Sequence, residues 1–112
     1  PQALGLESII NWREGKHAIA REQIDSAIKL DPRDAMLHNY LGIIAHSMND
    51  SEKAMAALNQ AVTLDPFNAE VRFNLAVLLT KEDKLDDARK NYEAAIKMGS
   101  RPDQRLENKI YK

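Results

Sequence analysis

The tripeptide Leu-Asp-Pro occurs at Leu30–Pro32 and returns 34 residues later at Leu64–Pro66. The interval is not confined to those letters. Ala20, Ala54 and Ala88 share it, as do Ala27, Ala61 and Ala95. A chain that repeats at this period stacks one supersecondary unit on itself, because a single unit cannot bury its own apolar face. With Pro32 and Pro66 as unit ends, the units run about 1–34, 35–68 and 69–102, followed by a tail of about 103–112. The whole is expected to be one repeat domain, 1–112.

Each unit carries two amphipathic stretches separated by a break. In the second unit Leu37, Leu41, Ile44 and Ala45 fall at helical spacing, followed by Met55, Leu58, Ala61 and Val62. The break positions hold Gly15, Asn49 and Asp83, residue types that tolerate a left-handed backbone with least strain. Such a residue just past a helix is a common stop. Asp31-Pro32 and Asp65-Pro66 end the second helices, because the residue before proline is pushed out of the helical region. Gly99 takes that role in the third unit. The alanine pairs lie seven residues, or two turns, apart on one helix face. Small side chains there let helices approach closely, and Ile24, Leu58 and Tyr92 fill the space between. Pairs at i,i+4, namely Asp25/Lys29, Asp86/Lys90 and Glu93/Lys97, read as a solvated face. Val71, Phe73, Leu75, Val77 and Leu79 alternate as a strand would. The stretch 69–80 is too long and too apolar on both parities for that, and its alignment with 35–46 makes it a helix. In the tail, Leu106 and Ile110 form a one-sided apolar pair suited to a capping helix.

Composition removes several function classes. The formal net charge of −1 gives no global field favouring nucleic acid or an anionic membrane. No run of about 18 apolar residues could span a bilayer, so a soluble chain is expected. There are no cysteines, hence no disulfide, thiolate metal site or cysteine nucleophile. A cysteine-free chain suits the cytoplasm and equally a bacterial periplasm, and a bacterial-type protein is the working expectation. The chain starts at Pro1 without a methionine, so it is expected to be a processed or excised piece.

At this point the pattern resembles the tetratricopeptide repeat, a 34-residue helix–turn–helix unit with a Trp-x2-Leu-Gly-x2-Tyr, Ala-x3-Phe, Ala and Pro signature. The second unit matches at His38, Leu41, Gly42, Ala45, Ala54, Leu58, Ala61 and Pro66. The third matches at Arg72, Leu75, Ala76, Leu79, Ala88, Tyr92 and Ala95, with Ser100 in place of proline. The first matches only in its second half, at Gly15, Ala20, Ile24, Ala27 and Pro32. Glu7, Ser8 and Asn11 stand where Leu, Gly and Tyr are usual, as in an end cap or a helix packed on another segment.

The resemblance implies an all-α fold, a right-handed superhelical solenoid of antiparallel helix pairs with about seven helices. It also implies a concave groove lined by the first helix of each unit, holding a segment of a partner protein or peptide. The groove positions of the family fall on Gln2, Gly5, Ile9, Trp12 and Arg13, then Met36, Asn39, Ile43, His46 and Ser47, then Glu70, Phe73, Val77, Thr80 and Lys81. Ile9, Trp12, Ile43, Phe73 and Val77 are more apolar than a solvated groove needs, so they face a partner or pack between repeats. One subset of the family clamps the terminal carboxylate of heat-shock chaperones with Lys and Asn at the fifth and ninth positions of its first repeat, Asn at the sixth of its second, and Lys and Arg at the second and sixth of its third. Here those positions hold Gly5, Ile9, Tyr40, Glu70 and Asn74, so a carboxylate clamp is not expected. Alternatives are a self-associating homo-oligomer, a structural segment of a longer repeat protein, or a regulatory arm of a larger enzyme.

No cofactor, metal site or catalytic residue is expected. His38 and His46 are eight apart on one helix, about 80° apart around it at ~100° per residue and too distant along its axis to share a metal. His38 takes the place of the family tryptophan, where packing is expected. No phosphate loop or nucleophile elbow occurs. Asn49-Asp50-Ser51 is formally a glycosylation sequon, but the turn explains Asn49 without a sugar. Trp12 and Phe73 lack the basic stripe that nucleic-acid binding requires.

Overall fold

A computed structural model describes residues 1–111; Lys112, the last residue of the expected capping segment, lies outside the described residues. Seven α-helices follow in order: α1 (Gln2–Arg13), α2 (His17–Leu30), α3 (Ala35–Ser47), α4 (Ser51–Leu64), α5 (Ala69–Lys81), α6 (Leu85–Lys97) and α7 (Gln104–Ile110). The alternating stretch 69–80 is helical, as its alignment requires. Three hairpins, α1–α2, α3–α4 and α5–α6, stack side by side into a body of 39 × 25 × 22 Å.

The helix stops account for the hairpins. Gly15, Asn49, Asp83 and Gly99 all have positive φ, at 81°, 61°, 60° and 109°. Each sits in the same two-bond closure. In the second unit, Asn49 N–H donates to His46 O (3.1 Å) and Asp50 N–H reaches back to Ala45 O (2.9 Å). Lys16 to Asn11, Lys84 to Leu79 and Ser100 to Ala95 repeat the longer bond, so carbonyls orphaned at each helix end find donors. Asp31 and Asp65 leave the helical region at φ −143° and −144°, just before their prolines. The next helix then starts on a side-chain cap. Asp34 accepts from Met36 N–H, Asn68 from Val71 N–H and Asp103 from Leu106 N–H. His38 and Arg72 take equivalent places, donating to Pro32 O (2.8 Å) and Pro66 O (3.1 Å). His38 is therefore a tether at the turn.

All six repeat alanines are fully buried, and Ile24, Leu58 and Tyr92 lie between them at no more than 2% exposure. Burying a side chain of that size contributes about 1.5–3 kcal/mol. Gly42 permits a close approach of α3 and α4: a Cβ there would stand 2.6 Å from Leu58 Cγ.

Three features differ from the sequence reading. The carboxylates of the i,i+4 pairs take other partners: Asp25 pairs with Arg21 (3.7 Å), Asp86 with Arg89, and Glu93 accepts from the Tyr111 hydroxyl (2.8 Å). At exposed sites such pairs are worth about 0–1 kcal/mol, too little to fix which neighbouring donor a carboxylate takes. Helix α7 is shorter than the tail reading, ending at Ile110. The caps Asp34, Asn68 and Asp103 are 34 and then 35 residues apart, so the third unit carries one extra residue. Leu106 thus stands where Leu37 and Val71 stand, and α7 occupies the place of a fourth first helix, against α5 and α6.

Candidate partner-binding groove

The first helices α1, α3 and α5 lie side by side, each touching the next. Their free faces therefore make one surface. Ile9, Ile43 and Val77 form its central row, all half-buried. Ile9 and Val77 also pack against core clusters, whereas Ile43 belongs to neither.

Between the C-terminal halves of the three helices lies a cavity of about 420 Å³. Gly42, Leu58 and Leu78 form its floor, Trp12, Ile43 and Val77 its walls, and His46, Ser47 and Lys81 part of its rim. Trp12 is held in place: its Nε1–H donates to Ser47 Oγ (2.7 Å), and that hydroxyl donates to Ile44 O (2.7 Å). The indole plane is left as apolar wall. His46 Nε2 is buried without a partner. Burial lowers the His46 pKa, and nearby Lys81 lowers it further, with Glu82 opposing. His46 is therefore held towards the neutral imidazole.

The other expected groove residues separate into distinct settings. Arg13 is exposed and has no ion-pair partner among the described residues. Thr80 turns back, donating from Oγ1 to Ala76 O (2.7 Å). Gln2 and Met36 border a smaller cavity of about 210 Å³ with Leu6 and Tyr40. Glu70 and Phe73 border a third, about 390 Å³, beside the α6–α7 connection. The Phe73 ring lies 6.4 Å from Tyr92, tilted at 51°.

Two of the family's groove positions are buried here. Asn39 is fully buried. It donates to Glu70 Oε2 (2.9 Å) and accepts from Asn74 Nδ2 (3.0 Å), so it joins repeats instead of facing a partner. A buried amide must spend its donors and acceptor internally. Gly5 is also buried, against Leu37. Conversely, Gly42, Leu58 and Asn74 border the Trp12 cavity without standing at a groove position. The pairing of a glycine with a leucine sixteen residues on was the available signal.

These features define a helical-repeat protein whose first helices share an open, partly apolar face. Tetratricopeptide repeat families match residues 8–69 and 45–99, and the chain belongs to the tetratricopeptide repeat family. Among curated proteins, BBSome complex member BBS4 of Bos taurus is 33% identical over 78 residues, 70% of this chain and 15% of that protein. Protein O-mannosyl-transferase TMTC1 of Mus musculus is 31% identical over 105 residues, 90% of this chain and 11% of that protein. The chain thus spans about a tenth to a seventh of these relatives. Among solved structures, the first tetratricopeptide domain of Spaghetti (RPAP3), bound to an HSP90 peptide, superposes with TM-score 0.87 at 17% identity, covering 98% of this chain and 86% of that one. The Yersinia enterocolitica type III secretion chaperone SycD, in complex with a peptide of the translocator YopD, gives 0.82 at 16% identity, with 98% and 88% covered. Those structural neighbours hold peptides; at such identities the likeness to this chain is one of fold.

Proposed function

We propose that the chain is a non-enzymatic protein-interaction module that holds a partner segment in the groove of α1, α3 and α5. The supporting observation is the 420 Å³ cavity where the first helices of all three hairpins meet, with half-buried Ile43 and Val77 presented beside an immobilised Trp12. A preorganised apolar recess binds with little ordering cost. The groove is not a carboxylate clamp. Gly5, Ile9, Tyr40, Glu70 and Asn74 occupy the clamp positions, and the Glu70 carboxylate itself takes the Asn39 donor. That puts a negative charge where the clamp family places a lysine.

The test selects peptides from a random display library and maps each binder by backbone amide shifts. Binders are expected to perturb α1, α3 and α5, and Ile43→Glu is expected to lose them at unchanged helicity. Shifts confined to α2, α4 and α6 would reject the groove.

Self-association is the second reading, favoured by one observation. Leu6 and Ile10 on α1 are 56% and 54% exposed, whereas Ile44 and Leu78, the counterparts of Ile10, are buried at 0% and 1%. A mass that stays monomeric across dilution in light scattering rejects it.

A further inference from the structure

Resting on the groove reading, we propose that the cavity at Trp12 takes an apolar side chain of the partner segment whose neighbouring residue is acidic, the carboxylate side chain pairing with Lys81. Shape supplies the first half. Gly42 lets Leu58 come close against α3, and buried Leu58 and Leu78 line the cavity with apolar side chains. The only polar atom of the Trp12 ring is already bonded to Ser47, so the wall offers a bare aromatic face. Such a recess rewards an apolar or aromatic group and penalises a polar one.

Charge supplies the second half. Among the described residues no carboxylate borders the cavity. Lys81 is exposed at its rim and has no ion-pair partner among the described residues. His46 beside it is held towards neutrality, so it does not compete for the same anion as a second fixed charge. Arg13, in the register of Lys81 on α1, is likewise unpaired. The chain as a whole carries −1, so an acidic segment is drawn by this rim and not by the global field. The opposite end of the groove differs: there Glu70 lines the cavity beside Phe73. An acidic residue next to the anchor is favoured only at the Trp12 end.

Trp12 is the sole tryptophan and lines this cavity, so its fluorescence is a direct probe of the site. The probes are three acetylated and amidated peptides, which carry no terminal carboxylate: Gly-Ser-Phe-Glu-Ser-Gly, the same with Phe-Lys, and the same with Ser-Glu. The Phe-Glu probe is expected to shift Trp12 emission saturably and to bind at least fivefold more tightly than Phe-Lys. The Ser-Glu probe is expected to give no saturation. Lys81→Gln, an exposed substitution, is expected to remove the difference between Phe-Glu and Phe-Lys, as is raising sodium chloride from 50 to 500 mM. Equal affinity for Phe-Glu and Phe-Lys overturns the acidic preference. Absence of a saturable shift with Phe-Glu at millimolar concentration overturns the pocket. Library binders that perturb α1, α3 and α5 but leave Trp12 unmoved would sink this inference while leaving the groove reading in place; binders mapping to α2, α4 and α6 would sink both.

Discussion

Gly42→Ala should destabilise the protein, against the usual direction for a helix interior. Replacing glycine by alanine there ordinarily stabilises by about 1 kcal/mol. Here the new methyl would meet Leu58 Cγ at 2.6 Å and Cδ2 at 2.8 Å, whereas carbon atoms settle about 3.5–4.0 Å apart. Leu58 is only 2% exposed, and its branching atom cannot swing aside as a terminal methyl could. Either α3 and α4 part or Leu58 leaves its rotamer, a strain of about 1–3 kcal/mol. The net expectation is a loss of about 1 kcal/mol. With a urea slope of about 1–3 kcal/mol/M, the midpoint falls by roughly 0.5 M. In a Leu58→Ala background the obstacle is gone, and the same substitution should stabilise by about 1 kcal/mol. The two effects should therefore couple by about 2 kcal/mol, within the range seen for residues in contact. Gly5→Ala is the control. Its methyl would meet one terminal methyl of Leu37 at 2.5 Å, with Tyr40 no closer than 3.6 Å, so strain and propensity should nearly cancel. A urea midpoint that rises for Gly42→Ala in the parent would refute the account of why α3 and α4 sit so close.

Asn49→Ala should cost about 1 kcal/mol in chemical denaturation, because alanine keeps the Cβ strain of a left-handed backbone at φ 61° and loses the short polar side chain that offsets it. His46 gives a pH dependence. Its native pKa is lowered from the ordinary 6.5, so the unfolded chain takes up the proton first. Stability should fall as pH drops from about 7.5 to 5, through the unfolded pKa and towards the lower native one. Lys81→Gln should make that fall shallower, and His46→Asn should remove this contribution; a curve identical in all three would exclude His46 as its source. Tyr92→Phe removes a hydroxyl that donates to Glu107 and accepts from Asp103 N–H (3.0 Å). It should cost about 1–2 kcal/mol and speed hydrogen exchange in α7 before the rest.

The hairpin architecture was legible because its determinants are local. A left-handed stop needs a residue that tolerates it, and Gly15, Asn49, Asp83 and Gly99 supply four answers to one requirement. The buried alanines were legible for a similar reason: seven-residue spacing on one helix fixes a face without reference to the partner. The extra residue in the third unit was not. Its second helix ends on Gly99 instead of an Asp-Pro pair, and Pro102 stands one residue from the Asp103 cap where Pro32 and Pro66 stand two. Only the cap hydrogen bonds reveal which residue begins the helix. Surface ion pairs were legible as a class and misassigned as pairs, since their energies of about 0–1 kcal/mol do not select among neighbouring cations.

The fifth position of each unit shows why a period locates a groove without determining its contents. Gly5, Asn39 and Phe73 are equivalent by register, yet their surroundings have nothing in common. Leu37 from the next unit fills the space beside Gly5. Glu70 and Asn74, 31 and 35 residues on, close over Asn39 and take its amide. Phe73 borders a cavity beside the α6–α7 connection. The first two outcomes depend on residues in the next unit, at offsets near 34 but not equal to it, and the third on the far end of the same unit. A repeat in the sequence records which positions are alike. What a surface can hold depends on which unlike positions meet, as where Gly42 faces Leu58 and where Trp12 is pinned by Ser47. The individuality of this groove therefore resides in its departures from the repeat. The Trp12 cavity is such a departure: the twelfth positions of the three units hold tryptophan, histidine and threonine, and only the first two border it.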